Sequence, residues 1–276
     1  MQDPLFAEVL AEAERTLREQ GRAALCQIVR VEGSTPGKAG WKLLVRPDGS
    51  AVGNLGGGAF EALVHADARA KLREDGPQAE IKRYYFTEQA VKGEATGMVC
   101  GGMAEVFLEV LAASPVLLVC GGGPVGQAVA QAARVAGFEI VVVDDRADFV
   151  RPELFPPGTR ALEVPRSGEG DFLTPWRERE LYVASVSRCW ETDVAGLAAV
   201  LRQRPSRLRY LGLMGSKRKV ERVRRELQAR GLQAPEPVFH APIGLAIGGT
   251  SPGEIAISIL AEIVSVRNRK PARVEA

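Results

Sequence analysis

The chain has 276 residues, 46% of them hydrophobic, and its 36 Lys and Arg nearly balance 34 Asp and Glu. That length and apolar content suffice to bury a core and suggest about two domains. A formal net charge of +2 lacks the basic excess a nucleic-acid partner calls for, so no such partner is expected.

No apolar run approaches the roughly 20 residues of a membrane span. The opening "MQDPLFAEVLAEAERTLREQG" reads as an acidic amphipathic helix without the apolar region or cleavage site of a signal peptide. No membrane association is expected, and the expected location is cytoplasmic. The cysteines at 26, 100, 120 and 189 form no C-x-x-C pair, and the histidines are His65 and His240. This pattern suits reduced thiols and disfavours a His/Cys metal centre.

After the first helix, "AALCQIVRVE" reads as a strand, followed by a turn-rich "GSTPGKAG" and the strand-like "WKLLVR". "PDGS" is a tight-turn signal that folds this run onto "AVGNL" as a hairpin. The glycine triplet Gly56 to Gly58 then feeds a helix whose apolar positions Phe60, Leu63, Val64 and Leu72 roughly follow helical spacing. "AEIKRYYF", a loop carrying "MVCGG" (Met98 to Gly102) and the alternating "MAEVFLEVL" close the segment. A break at "LAASP" (Leu111 to Pro115) sets the expected domains at 1–113 and 114–276.

The second segment alternates apolar runs ("VLLVC", "EIVVVDD", "ELYVASV", "LRYLGLM") with helical stretches, the pattern of a parallel sheet covered on both faces. The fold class is therefore α/β: a small N-terminal α+β domain followed by a Rossmann-like C-terminal domain with a parallel sheet. "GSKRKVERVRRELQARG" is a basic amphipathic helix, and Ser251 and Pro252 read as N-cap and first residue of the last helix.

Gly121, Gly123 and Gly126 form G-x-G-x-x-G between a strand and a helix: one glycine for the turn, one for approach to a pyrophosphate, one for helix packing. Asp144, about 20 residues on, is placed to accept from ribose hydroxyls, and Arg146, just beyond the pair Asp144 and Asp145, reads either as a hint of a 2′-phosphate or as a solvated loop residue. The turn alone does not establish a ligand. Gly215, Ser216 and Lys217 form a strand-to-helix junction that suits an anion or is simply a capped helix. His240 is a general-acid candidate for a dehydrogenase or a histidine that holds a loop. Cys100, among glycines, reads as a soft ligand atom or as a small buried hydrophobe.

Taken in order, "GSTPGKAGWKLLVRPDGSAVGNLGGGAFEA", "VCGG", the Rossmann turn, "YLGLMGSKRK" and "HAPIGLAIGGTSPGEIAISILAEIV" resemble the XdhC/CoxI family over roughly Phe6 to Arg267. The resemblance implies an accessory protein for xanthine dehydrogenase and related molybdenum hydroxylases. Such a protein binds molybdenum cofactor, protects it while a cysteine desulfurase or sulfurtransferase partner installs the sulfido ligand, and assists insertion into the client. On this view it is a self-associating chaperone, expected as a homodimer, rather than a turnover enzyme. Ser34, Thr35, Gly57, Gly58, Glu61, Cys100, Gly101 and Gly102 are the implied cofactor contacts, with Cys100 the candidate metal ligand.

Two departures stand out. Ala59 occupies the position where family members commonly carry a cysteine after the glycine triplet, so a thiol for metal ligation or sulfur relay is missing there. Ser187 and Arg188 replace a common Thr-His pair, while Asp193 keeps its place. The rival readings are an NAD(P)-dependent oxidoreductase using the Gly121 turn with His240 or Lys217, and a nucleotide-sensing interaction protein.

Overall fold

The structure is a computed structural model that describes residues 6–74, 78–86, 94–95 (as backbone), 101–167 and 170–268. It divides into two compact units, Met1–Ala113 and Ser114–Ala276.

The N-terminal unit runs α1 (Phe6–Gln20), β1 (Arg22–Glu32), β2 (Lys42–Val45), β3 (Ala51–Gly53), α2 (Gly58–Arg73), β4 (Ala79–Tyr85), β5 (Glu94–Ala95) and β6 (Met103–Ala112). Its sheet has the order β3-β2-β1-β6-β4-β5 and is antiparallel except where β4 meets β5. Period-2 alternation decides the layering. Ala24, Cys26 and Ile28 of β1, with Ala104, Val106 and Leu108 of β6, join Phe60, Val64 and Ala68 of α2 in one core. Ala23 and Leu44 pack instead with Val9 and Ala13 of α1. The expected hairpin is present as the β2–β3 pair, with register Leu44↔Val52.

The C-terminal unit runs β7 (Val116–Cys120), α3 (Pro124–Val135), β8 (Glu139–Asp144), β9 (Arg160–Glu163), β10 (Glu180–Ser185), α4 (Trp190–Gln203), β11 (Arg207–Leu213), α5 (Lys217–Ala229), β12 (Phe239–His240) and α6 (Pro252–Arg267). Its six strands are all parallel, in the order β12-β11-β10-β7-β8-β9. Leu117, Val119 and Val142 pack with Val129 and Ala133 of α3 and with Ile259 and Ile263 of α6. Leu118, Val141 and Val183 pack with Val194 and Leu197 of α4 and Val223 of α5. Burial on both faces explains why these strands read as unbroken apolar runs. The α/β class expected from the sequence is the class observed. Among the described residues no helix is long and apolar enough to cross a membrane.

This strand order reverses between β7 and β10, and a crevice opens outside the carboxyl ends of the strands at such a reversal. The sequence pattern does not reveal β9 and β12. The first is four residues with only intermediate or exposed side chains, and the second is two residues long, so neither carries a run that composition could show.

Candidate functional site

In the N-terminal unit three loops converge. Ser34 bridges Gly101, and Gly101 and Gly102 exchange main-chain hydrogen bonds with Phe86 at 2.9 Å. A Cβ on Gly102 would lie 2.1 Å from the Ser34 carbonyl oxygen, one on Gly37 2.1 Å from that of Leu55, and one on Gly56 2.6 Å from the Pro36 carbonyl carbon. Loops 33–37, 54–58 and 101–102 thus touch through main chain, at distances only glycine permits. Ser34, Thr35, Gly57, Gly58, Gly101 and Gly102, drawn from distant parts of the segment, are brought together in this way.

Glu61 and Thr35 hold the cluster rather than face out of it. The Glu61 carboxylate accepts from the N–H groups of Leu55 at 2.8 Å and Gly57 at 3.3 Å, and the Thr35 hydroxyl donates to the Gly37 carbonyl at 2.8 Å. Gly57, Gly58 and Gly101 have φ of 76°, 66° and 72°, and a Cβ on any of them would meet nothing within 4 Å. α2 starts here, and its N-cap Gly57 makes no side-chain cap bond. Cys100 lies outside the described residues. Among those described, no group of three or more His, Cys, Asp or Glu is arranged to hold a metal.

In the C-terminal unit the glycine turn lies at the strand-order reversal. A Cβ on Gly126 would fall 1.8 Å from the Gly121 carbonyl oxygen, one on Gly122 2.0 Å from that of Phe149, and one on Gly121 3.0 Å from Cα of Ser187. These three glycines serve close packing. Gly123, by contrast, has φ −67° as N-cap of α3 without a side-chain cap bond, and a Cβ there would meet nothing within 4 Å. It is the position where main chain is open to approach.

Beside the turn, the fully buried Asp193 accepts from the hydroxyls of Ser185 and Ser187 at 2.8 and 2.7 Å and pairs with Nζ of Lys219 at 2.5 Å. Lys219 also donates to the Ser187 carbonyl at 3.3 Å. The lysine that reaches the crevice is therefore Lys219, not Lys217, which is exposed at the start of α5. Ser216 caps that helix by accepting from the Lys219 N–H. Gly215 leaves room for the Lys219 stem, which a Cβ would meet at 2.5 Å. The Cys120 thiol beneath the turn is pushed up to about 12, chiefly by burial and then by the Asp193 charge, so it stays protonated and inert at neutral pH.

His240 is not part of this crevice. It lies on the outermost strand, three strands from β7 and thus roughly 14 Å away at normal strand spacing. Its Nδ1 contacts Glu262 at 3.2 Å, and its ring stacks on Tyr210 with centroids 4.5 Å apart. Glu262 also accepts from Gly244 N–H at 2.8 Å, so the group ties the loop after β12 to α6.

The profile of the XdhC Rossmann domain matches residues 117–263, more than half of the chain, and that of the XdhC and CoxI family matches residues 16–85. The chain belongs to the XdhC/CoxI family. It is similar to the uncharacterized protein YqeB of Escherichia coli (strain K12), 36% identical over 266 residues that cover 95% of this chain and 47% of that protein. It is also similar to a probable xanthine dehydrogenase subunit of Bacillus subtilis (strain 168), 26% identical over 196 residues that cover 71% of this chain and 54% of that protein. The chain spans about half the length of these curated relatives. A crystal structure of a xanthine dehydrogenase from Bacillus halodurans aligns with 96% of this chain and 98% of its own at 21% identity, with a TM-score of 0.47.

In this XdhC/CoxI member the end of β8 departs from the ribose contact that the sequence suggests. Asp144 is buried. Its Oδ1 accepts from the N–H and Nε of Arg146 at 3.1 and 2.8 Å, and its Oδ2 from Gly122 N–H at 2.8 Å and Arg146 Nη2 at 3.0 Å. A carboxylate offers about four acceptor positions, and four donors fill them from within the protein. Burial pushes the Asp144 pKa up, but the Arg146 guanidinium and the Gly122 N–H outweigh it and hold the carboxyl below its ordinary range. Asp145 next to it pairs with Arg166 at 3.1 Å, Arg188 at 3.6 Å and Arg146 at 3.9 Å.

Proposed function

We propose that this chain is an accessory protein for a molybdenum hydroxylase of the xanthine dehydrogenase type, one that binds molybdenum cofactor and assists its sulfuration and insertion. The observation that carries the reading is the glycine-lined cluster of the N-terminal unit, in a chain of the XdhC/CoxI family. The name of the Bacillus subtilis relative, a probable xanthine dehydrogenase subunit, is consistent with a client of that type.

The residues present fit such a cofactor. A pterin is flat and polar and carries a phosphate, and it needs amides at close range more than it needs side chains. Gly57, Gly58 and Gly101 leave open faces for a flat ring to approach, with the Gly57 and Gly101 N–H groups held by Glu61 and Phe86, and the start of α2, which has no side-chain cap bond, supplies the positive end of a helix dipole for the phosphate. Ser34, exposed beside Gly101, adds a hydroxyl. Cys100, next in the chain to Gly101, is the residue assigned to the metal or its sulfur. When bound, the cofactor supplies the molybdenum centre at which the client carries out hydroxylation. The protein's own residues only hold and shield it, while a cysteine desulfurase or sulfurtransferase brings the sulfur. Ala59 takes no part in sulfur relay, so any thiol function falls to Cys100.

Activation of an apo-hydroxylase by the cofactor-loaded protein and a cysteine desulfurase tests the reading. Wild type is expected to raise client activity well above cofactor alone, and Gly57→Asp, which sets a carboxylate where a phosphate is held, is expected to abolish the gain. Full activation by Gly57→Asp, or none by wild type, would overturn the proposal.

A further inference from the structure

The C-terminal unit carries a feature that cofactor handling in the N-terminal unit does not use. Three arginines from three different strand-end loops gather at the crevice: Arg146 after β8, Arg166 after β9 and Arg188 after β10. All three pair with Asp145, whose side chain is 10% exposed, while Arg166 and Arg188 keep 59% and 48% of their own surface exposed. Counting Asp144, three guanidinium groups face two carboxylates, which leaves one positive charge. Arg146 is fixed flat, its guanidinium carbon 3.6 Å from the centroid of the Phe149 ring.

Discrimination between the two nicotinamide dinucleotides in this fold depends on the end of this strand. A carboxylate with free acceptor capacity receives the 2′-hydroxyl of NAD, whereas a nearby arginine accommodates the 2′-phosphate of NADP. Here both residue types are present, and the geometry chooses between them. Asp144 has its four acceptor positions filled, so a ribose hydroxyl finds no acceptor on it. A phosphate finds guanidinium forks suited to it in shape and charge. Gly123, open to approach, and the uncapped start of α3 stand where a pyrophosphate would run.

We infer that the C-terminal unit binds an adenine dinucleotide bearing a 2′-phosphate, NADP(H) in preference to NAD(H), with Arg146, Arg166 and Arg188 as the residues that discriminate. The site does not depend on the cofactor role of the N-terminal unit. Arg188 becomes one of the specificity-determining residues.

Titration calorimetry on the full chain reads this directly. NADPH is expected to bind at least about 10-fold more tightly than NADH, the gain of roughly one charge-assisted contact set. Its affinity should fall more steeply with sodium chloride, and 2′-AMP should displace it better than 5′-AMP or inorganic phosphate. The Arg166→Gln/Arg188→Gln variant, altered at two largely exposed positions, should bring NADPH down toward NADH while leaving NADH within about 3-fold of wild type. Gly123→Asp should lose both nucleotides. Equal or tighter binding of NADH, a preference unchanged in the double variant, displacement by inorganic phosphate as effective as by 2′-AMP, or no binding of either nucleotide would each overturn the inference. Molybdenum cofactor binding measured on the same Gly123→Asp sample should persist, so failure here and failure of the maturation role are told apart.

Discussion

The N-terminal cluster is made of main chain, and the C-terminal crevice is made of charge. In the first, loops 33–37, 54–58 and 101–102 meet carbonyl to glycine, and the acidic side chain described there, Glu61, is turned back to brace two amides. In the second, Asp193, Lys219, Asp144, Asp145 and three arginines crowd one end of a sheet. The difference teaches that glycine serves two separate needs in one chain. Gly57, Gly58 and Gly101 are required for their positive φ in open surroundings, whereas Gly126 has no room for a side chain.

The comparison breaks most easily at the buried charges. Lys219→Met leaves Asp193, which is 0% exposed, with two hydroxyl donors and no counter-ion. Removing one partner of a buried pair costs about 3–5 kcal/mol, so chemical denaturation should show the C-terminal unit losing that much. An unchanged midpoint would mean that the pair is not a prop of the fold.

The next effect separates the two kinds of glycine. Gly126→Ala drives a methyl into the Gly121 carbonyl and should cost about 1–3 kcal/mol as overpacking. Gly57→Ala meets no atom and should cost about 1–3 kcal/mol through backbone strain alone, because φ 76° with ψ −173° is a region that glycine alone occupies readily. The distinction is tested by Gly123→Ala, which has neither problem and should melt within a few degrees of wild type.

A smaller effect concerns acid. The folded-state pKa of Asp144 is lowered, so its contribution is present above the ordinary carboxylate range near about 4 and is lost as pH falls through the folded value. Thermal melts from neutral pH downward should show the wild-type C-terminal unit losing stability below about pH 4 more steeply than Asp144→Asn. Parallel curves would mean that the Arg146 and Gly122 contacts do not couple to protonation. The smallest change expected is Ser251→Ala, which removes a capping box at α6 and should cost about 1 kcal/mol.

The strands and helices with a strong period are legible in the sequence, from the alternation in β6 to the Ser251–Pro252 start of α6. The glycine turn and its place between β7 and α3 are legible too. Which lysine enters the crevice is not, because Lys217 and Lys219 differ only in which side of α5 they leave from, and the partner Asp193 lies on another helix. The role of Asp144 is equally hidden: local sequence places it after a strand, but only the fold shows Gly122 and Arg146 filling its acceptor positions. The meeting of Ser34 with Gly101 is a long-range pairing that no local pattern encodes. β9 and β12 stay unread because each is too short to carry a pattern.

The central claim is that the glycine cluster of the N-terminal unit holds molybdenum cofactor. Equilibrium binding of purified protein to the cofactor, followed by fluorescence quenching, tests it most directly. The account predicts saturable binding by wild type and by Gly123→Asp, with binding lost in Gly57→Asp and weakened in Cys100→Ala. Binding that is absent in wild type, or that survives Gly57→Asp and disappears in Gly123→Asp, would contradict it.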